Sequence, residues 1–224
     1  IHALVGDNGA GKSTLIKVFS GDIQPDKGVL EINGRRARFA SPRDAQVAGI
    51  ETVYQDLALA STLDTAMNIH LGREVLVRGP LAKLGFINRR AMQLHAAEQL
   101  KDLGIELPSV TVPVSGLSGG QRQAVAVARA AAWGRQILIM DEPVAALAPQ
   151  QTELVLSLMK RARDERGLAV IFISHSLPHI FLASDRVTVL RHGQTVLTKP
   201  TAETDVEELL RAMTGINTER RASA

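Results

Sequence analysis

Two hydrophobic rhythms alternate along the chain. Short continuous apolar runs, at Ala3-Leu4-Val5, residues 137–140 and residues 168–173, read as strands buried on both faces. Around them, apolar positions fall at helical spacing. Leu15, Ile16, Val18 and Phe19 predict a helix over 11–20, stopped by Gly21. Ser41-Pro42 opens another, with serine as N-cap and proline in the first turn. Residues 50–54 form a short strand, and 119–132, 150–166 and 177–183 are helical, Gly167 closing the second of these. Two hairpins are expected. One spans 28–40 and turns at Asn33-Gly34; the other spans 186–198 and turns at His192-Gly193. The last helix, 205–213, follows Thr204-Asp205-Val206-Glu207, which reads as a capping box, and residues 218–224 read as a frayed tail.

Residues 57–116 break the alternation. Helical patterns cover 61–71 and 89–103, Asn88 capping the second and Gly104 ending it; Gly79-Pro80 punctuates the block, and no clear strand is visible. The block reads as a helical insertion in an α/β frame. Strands alternating with helices elsewhere argue for a largely parallel sheet covered on both faces.

Composition narrows the function. Of 224 residues, 45% are apolar but only 3% aromatic, so the core is built from Leu, Val, Ile and Ala. The net charge of +3 is scattered in pairs such as Arg35-Arg36 and Arg89-Arg90, which argues against a nucleic-acid tract. With no cysteine, a disulfide scaffold and a cysteine metal site are excluded. No apolar run approaches the roughly 20 residues that span a bilayer, and no signal peptide is visible. The chain opens inside an apolar segment, Ile1-His2-Ala3-Leu4, from which an N-terminal cut, with site residues upstream, is expected.

Gly6-Asp7-Asn8-Gly9-Ala10-Gly11-Lys12-Ser13-Thr14 fits the phosphate-loop pattern G-x-x-x-x-G-K-[ST], and its strand-loop-helix context is what that pattern requires. Glycines let backbone N–H groups turn inward around an anion, and the helix N-terminus adds its dipole. Lys12 is expected to reach the β- and γ-phosphates and the Ser13 hydroxyl to ligate Mg²⁺. Asp141-Glu142 stands at the end of the apolar strand 137–140, where ligands bind in a doubly wound sheet. Asp141 is placed to hold Mg²⁺ and Glu142 to polarise a water for attack on the γ-phosphate. Leu117-Ser118-Gly119-Gly120-Gln121 makes a second Gly-rich turn at a helix start; alone, such a turn is most often an ordinary cap.

These elements, with Gln55 between the first two and His175 after Asp141-Glu142, occur in the order seen in ATP-binding cassette proteins. The chain resembles the nucleotide-binding subunit of an ABC transporter over nearly its whole length, and Leu-Ser-Gly-Gly-Gln separates that family from other phosphate-loop ATPases. The resemblance implies an α/β fold: a RecA-like P-loop NTPase core with an antiparallel β-subdomain around 28–40 and an inserted helical subdomain at about 57–125, one domain over 1–217. It implies that Gln55 approaches Mg²⁺ and the attacking water, and that His175 contacts the γ-phosphate and helps position Glu142. It also implies that Ser118, Gly119, Gly120 and Gln121 contact the ATP held by another copy's phosphate loop. ATP and Mg²⁺ are thus the expected ligands, with Ser13, Gln55 and Asp141 around the metal. The expected partners are a second ATPase subunit, membrane permease subunits and, indirectly, an extracytoplasmic solute-binding protein, at the cytoplasmic face of the membrane.

A narrower resemblance, to importers of monosaccharides such as ribose, xylose and fructose, rests on residues 2–14, on Asn68-Ile69-His70-Leu71-Gly72-Arg73-Glu74 and on Ile173-Ser174-His175-Ser176-Leu177. The chain departs from the common pattern at Val144, where Thr or Ser is frequent, and at Ala145-Ala146-Leu147-Ala148, where many members have Ser-Ala-Leu-Asp. Many sugar-importer ATPases carry two cassettes and this sequence one, so either two copies pair or the chain is a fragment. The competing readings are a cassette ATPase acting on nucleic acid or the ribosome, and a module that holds ATP without hydrolysing it. Absent zinc cysteines and charged linkers weigh against the first, and intact Lys12, Gln55, Asp141, Glu142 and His175 against the second.

Overall fold

In the computed structural model, which describes residues 1–145 and 147–215, the short apolar runs assemble into one six-stranded sheet. Its strands are β1 (His2–Val5), β4 (Ile50–Val53), β5 (Ile137–Asp141), β6 (Ala169–Ile173), β7 (Arg186–Arg191) and β8 (Gln194–Pro200), in the order β4-β5-β6-β1-β7-β8. All neighbours are parallel except β7 and β8, whose hairpin closes one edge. A separate ribbon, β2 (Leu30–Ile32) with β3 (Arg35–Ala37), turns at Asn33-Gly34. Both hairpin turns carry positive φ at both central residues, Asn33 and Gly34, His192 and Gly193, as the turn that matches strand twist requires.

Alternation along the strands divides the core. Ala3, Val5, Leu138, Met140, Val170 and Phe172 face α3 (Thr65–Ile69), α4 (Arg89–Asp102), α5 (Gly119–Trp133), α6 (Pro149–Arg166) and α7 (Leu177–Ala183). Leu4, Ile139 and Ile173 face the other way, onto Ile16 of α1 (Lys12–Phe19), Ala45 of α2 (Pro42–Val47) and Phe39. The sheet is therefore covered on both faces, as expected, while α8 (Val206–Thr214) adds Leu209 to the first core. Helix α5 carries an unbroken buried run of Ala and Val from 124 to 128, and small side chains let it pack closely on β4 and α6. Among the described residues no helix is long and apolar enough to cross a membrane.

Most boundaries fall within two residues of expectation, and three differences have a visible physical reason. The helix read over 61–71 is only Thr65–Ile69, because the buried Asn68 amide donates to the carbonyls of Ala60, Leu63 and Asp64 and holds 60–64 as a turn, with Asp64 as N-cap. The strand read from 168 begins at 169, because the Leu168 N–H donates back to Ala162 O in the glycine stop at Gly167. The final cap is Asp205, not Thr204: Asp205 accepts from the Glu208 N–H, and the Thr204 hydroxyl donates to the Glu208 carboxylate. In the block 57–116 only two isolated bridges, Asp64–Pro113 and Leu76–Ile87, stand in for strands. The expected tail, 218–224, and the end of the expected domain at 217 lie outside the described residues.

Two measurements check this frame. Phe172 is fully buried in the sheet, so Phe172→Ala should cost about 3–5 kcal/mol in urea unfolding. A Cβ on Gly6 would stand 2.3 Å from the Leu190 carbonyl oxygen of β7, a backbone atom with nowhere to move. Gly6→Ala should lower stability by about 1–3 kcal/mol even without ligand, and an unchanged unfolding midpoint would show that the loop and β7 are not in contact.

Candidate active site

The parallel strands bring four separated segments to one edge. The carboxyl ends of β1, β4, β5 and β6 carry, in turn, the loop 6–11, Gln55, Asp141-Glu142 and His175. Ligands in open α/β sheets bind in the crevice beyond these ends.

The loop is held by short bonds and by the hairpin behind it. Ala10 N–H donates to Asp7 O at 3.1 Å, Asn8 N–H to Asp7 Oδ1 at 2.7 Å, and Gly193 N–H to Ala10 O at 3.0 Å. Asn8, Gly9, Ser13 and Thr14 are exposed, Ala10 is buried, and Gly11 leads into α1. Lys12 is only 7% exposed. Its ammonium donates to Gly6 O at 2.8 Å and Asp7 O at 3.0 Å. Among the described residues these are its hydrogen-bond acceptors, which leaves one of its three N–H bonds for a ligand. Burial pulls the Lys12 pKa below its ordinary value, and the charges of Glu142, Asp141 and Asp7 oppose that shift.

Asp141 ends β5 opposite Ile173 of β6, so residues 142 and 174–175 leave the sheet side by side. Burial, reinforced by the Glu142 charge, holds the Asp141 carboxyl above the usual carboxylate range; Lys12 and His175 pull it back. Glu142 sits at φ 51, a left-handed conformation that costs a non-glycine residue about 1–2 kcal/mol. Its N–H donates to Ile173 O at 3.2 Å, and its carbonyl accepts from Ala145 N–H at 3.2 Å. The turn aims the carboxylate at His175, with Oε1 at 2.5 Å from Nε2.

Gln55 is exposed and lies two residues beyond β4, the strand that pairs with β5. Its neighbour Tyr54 donates its hydroxyl to Asp22 Oδ2 at 2.7 Å, just past α1. On the other side, Arg129 of α5 donates to the carbonyls of Leu57 and Ala58. Ser118 is the N-cap of α5 and forms a capping box with Gln121: Gln121 N–H donates to Ser118 Oγ and Ser118 N–H to Gln121 Oε1. Gly120 packs against Gln151, and Arg122 donates to Leu117 O at 2.7 Å. Among the described residues no hydrogen bond joins Ser118, Gly119, Gly120 or Gln121 to the loop around Lys12.

The structure thus gathers Lys12, Asp141, Glu142 and His175, sets Gln55 just beyond the adjoining strand β4, and leaves 118–121 apart. Sequence reading misses Asp7, whose carbonyl receives Lys12, and sees in the turn at 192–193 only a hairpin. It also misses Tyr54 and Arg129. A cation inside the buried face of α5 is the one signal for Arg129. A cavity of about 640 Å³ lined by Arg43, Val47, Arg73 and Trp133, among others, includes none of the site residues.

Comparison with known proteins agrees with this geometry. The family model described as ABC transporter matches residues 1–145. The chain is 43% identical over 217 residues to the fructose import ATP-binding protein FrcA of Rhizobium meliloti, covering 96% of this chain and 83% of that protein. It is 44% identical over 214 residues to the xylose/arabinose import ATP-binding protein XylG of Sulfolobus acidocaldarius, covering 96% and 82%. The ribose import ATP-binding protein RbsA 2 of Rubrobacter xylanophilus is 43% identical over 215 residues, but the chain spans only 40% of its length. Among solved structures, cbiO1 from Clostridium perfringens, part of an ABC transporter complex, superposes with a TM-score of 0.75 at 25% identity, covering 98% of this chain and 84% of that one. The ADP conformation of the cassette MJ1267 does so with a TM-score of 0.74 at 24% identity, covering 94% and 82%, and shares the fold. A family match over more than half of the chain, relatives alike across nearly all of it, and a strand-end constellation suited to a nucleotide lead to one conclusion: the chain belongs to the ABC transporter family as an ATP-binding cassette.

Proposed function

We propose that this chain is the ATP-hydrolysing subunit of an importer, that it takes up a small solute, and that the solute is a monosaccharide. The Glu142–His175 contact beside Lys12 carries the catalytic part of this reading. The sugar rests on the fructose and xylose/arabinose import relatives. One cassette domain with the block 57–125 as its helical subdomain fits the element order.

The loop from Gly6 through Thr14 cradles the phosphates. Its backbone N–H groups and the start of α1 face the anion, and the free N–H of Lys12 reaches it. The site also fits Mg²⁺. Asp141 is a carboxylate whose charge burial opposes, so a cation there is welcome; the Ser13 hydroxyl is exposed, and Gln55 is within the same edge. Among the described residues no group of three His, Cys, Asp or Glu could hold a metal, and a Mg²⁺ that keeps waters and phosphate oxygens needs only one or two protein ligands. When bound, the ion neutralises charge on the transferring phosphate. Glu142 takes a proton from the attacking water as the water oxygen bonds to the γ-phosphorus and the bond to the β–γ bridging oxygen breaks. His175 fixes the Glu142 carboxylate, and Gln55 orients the water.

Gly119 supports the second-copy role of the turn at 118–121. It has ordinary φ, and a Cβ there would meet nothing within 4 Å, so the protomer itself has no need of glycine. An ATP held by a second copy would use that space, with Ser118 and Gln121 beside it. Of the departures from the common pattern, Val144 is buried against the main core and Ala148 is the N-cap of α6. The further partners are permease subunits and, through them, an extracytoplasmic solute-binding protein, with the chain peripheral at the cytoplasmic face.

Glu142→Gln should bind ATP with unchanged affinity and dimerise on it, while phosphate release falls by about 10²–10⁴-fold. Full turnover would remove Glu142 from the mechanism. Gly119→Ala should leave the melting temperature of the nucleotide-free protein unchanged or slightly raised, and yet impair ATP-dependent dimerisation and turnover. Normal dimerisation and turnover in that variant would place the turn outside the site. Uptake of labelled fructose, xylose and ribose by vesicles holding this chain with its permease tests the sugar; transport of none of them would leave a cassette of another cargo.

A further inference from the structure

Arg129 lies ten residues along α5 from Gly119, about 15 Å at the rise of an α-helix. It is half-buried, and among the described residues no carboxylate comes within ion-pair distance of it. Glu51, whose charge it feels, is taken by Arg73 at 2.5 Å. The guanidinium instead spends its fork on two successive backbone carbonyls. One terminal nitrogen donates to Ala58 O at 2.8 Å and the other to Leu57 O at 2.8 Å. A planar fork with fixed donors suits two adjacent acceptors as an ammonium does not.

The segment it grips is held in a conformation it does not favour. Ala58 sits at φ 48, in the left-handed region that a non-glycine residue keeps only when its surroundings impose it. Leu57 and Leu59 pack against the main core on either side. Upstream, Tyr54 is tied to Asp22, which also accepts from Ser20 at the end of α1. Between these pins lie only Gln55 and Asp56. Their position is set from one side by the phosphate-loop helix and from the other by α5.

We infer that Arg129 is a positioning residue for ATP hydrolysis, holding the Gln55 loop in place from the helix that begins at Ser118. The inference rests on the reading of Gln55 as part of the site. Arg129 touches no reacting atom; it sets where Gln55 stands and links that position to the α5 helix.

Arg129→Lys keeps the charge and most of the stem but loses the fork, so it tests the inference in the full chain with ATP and Mg²⁺. The circular dichroism and affinity for a fluorescent ATP analogue should match the parent, while kcat falls by on the order of 10- to 100-fold, the penalty of a small misplacement. Amide exchange should quicken across 55–60 and stay unchanged across 119–128. In a Gln55→Ala background, Arg129→Lys should add little further loss, because both act through one loop. Unchanged exchange at 55–60, a fully additive loss, or affinity falling in step with kcat would overturn the inference. Full turnover in Arg129→Lys beside a slowed Gln55→Ala would overturn it alone; full turnover in Gln55→Ala would overturn the role of Gln55 as well.

Discussion

A desolvated ammonium organises this site. Lys12 is buried at the first turn of α1, and a buried charge is costly unless hydrogen bonds and opposite charges meet it. The carbonyls of Gly6 and Asp7 supply the bonds, and Asp141 and Glu142 the field. The carbonyls can turn toward Lys12 only because the loop curls tightly, and it curls against β7 at a distance that only a residue without Cβ permits. The carboxylates arrive because β5 is parallel to β6 and both end at the edge where β1 ends. Loop, sheet topology and acid pair are one arrangement with the lysine at its centre.

The reverse dependence shows in Asp141. Burial and Glu142 both oppose its charge, and Lys12 and His175 relieve it in part. The acids and the lysine therefore stabilise each other, and neither half is at ease without the other. That unease suits a site meant to receive a highly charged ligand, since each group keeps some capacity for a further partner. The left-handed Glu142 is part of the same pattern: the strain is local, and its return is a carboxylate aimed at His175.

Sequence pattern makes most of this frame legible because local and global preferences agree along it. Short apolar runs mark the central strands, Asn33-Gly34 the turn of the separate ribbon, His192-Gly193 the turn of the edge hairpin, and Gly167 the end of α6. The phosphate loop, the acid pair and the capping role of Ser118 with Gln121 are equally local. What escapes is non-local. The shortening of α3 depends on where the Asn68 amide points, and two oxygens compete to cap α8 in Thr204-Asp205. The reason Gly6 admits no side chain is Leu190, far along the chain, and the grip on Leu57 and Ala58 comes from a helix whose pattern reads only as Ala-rich. No window of sequence contains both partners of such contacts.

Helix α5 is where these non-local ties converge. The Ala and Val run from 124 to 128 is fully buried, and the helix packs there against β4 and α6. One end carries Ser118 and an open Gly119 on the outside of the protomer; further along, Arg129 grips the loop beyond Gln55. On the inference drawn for Arg129, a displacement of the exposed end that carries the helix with it reaches the guanidinium. The carbonyls of Leu57 and Ala58 must follow the guanidinium or lose it, and Gln55, pinned upstream by Tyr54, turns between the two. On the proposed reading, contact with the nucleotide of a second copy and the placement of Gln55 in the first are two ends of the same rod.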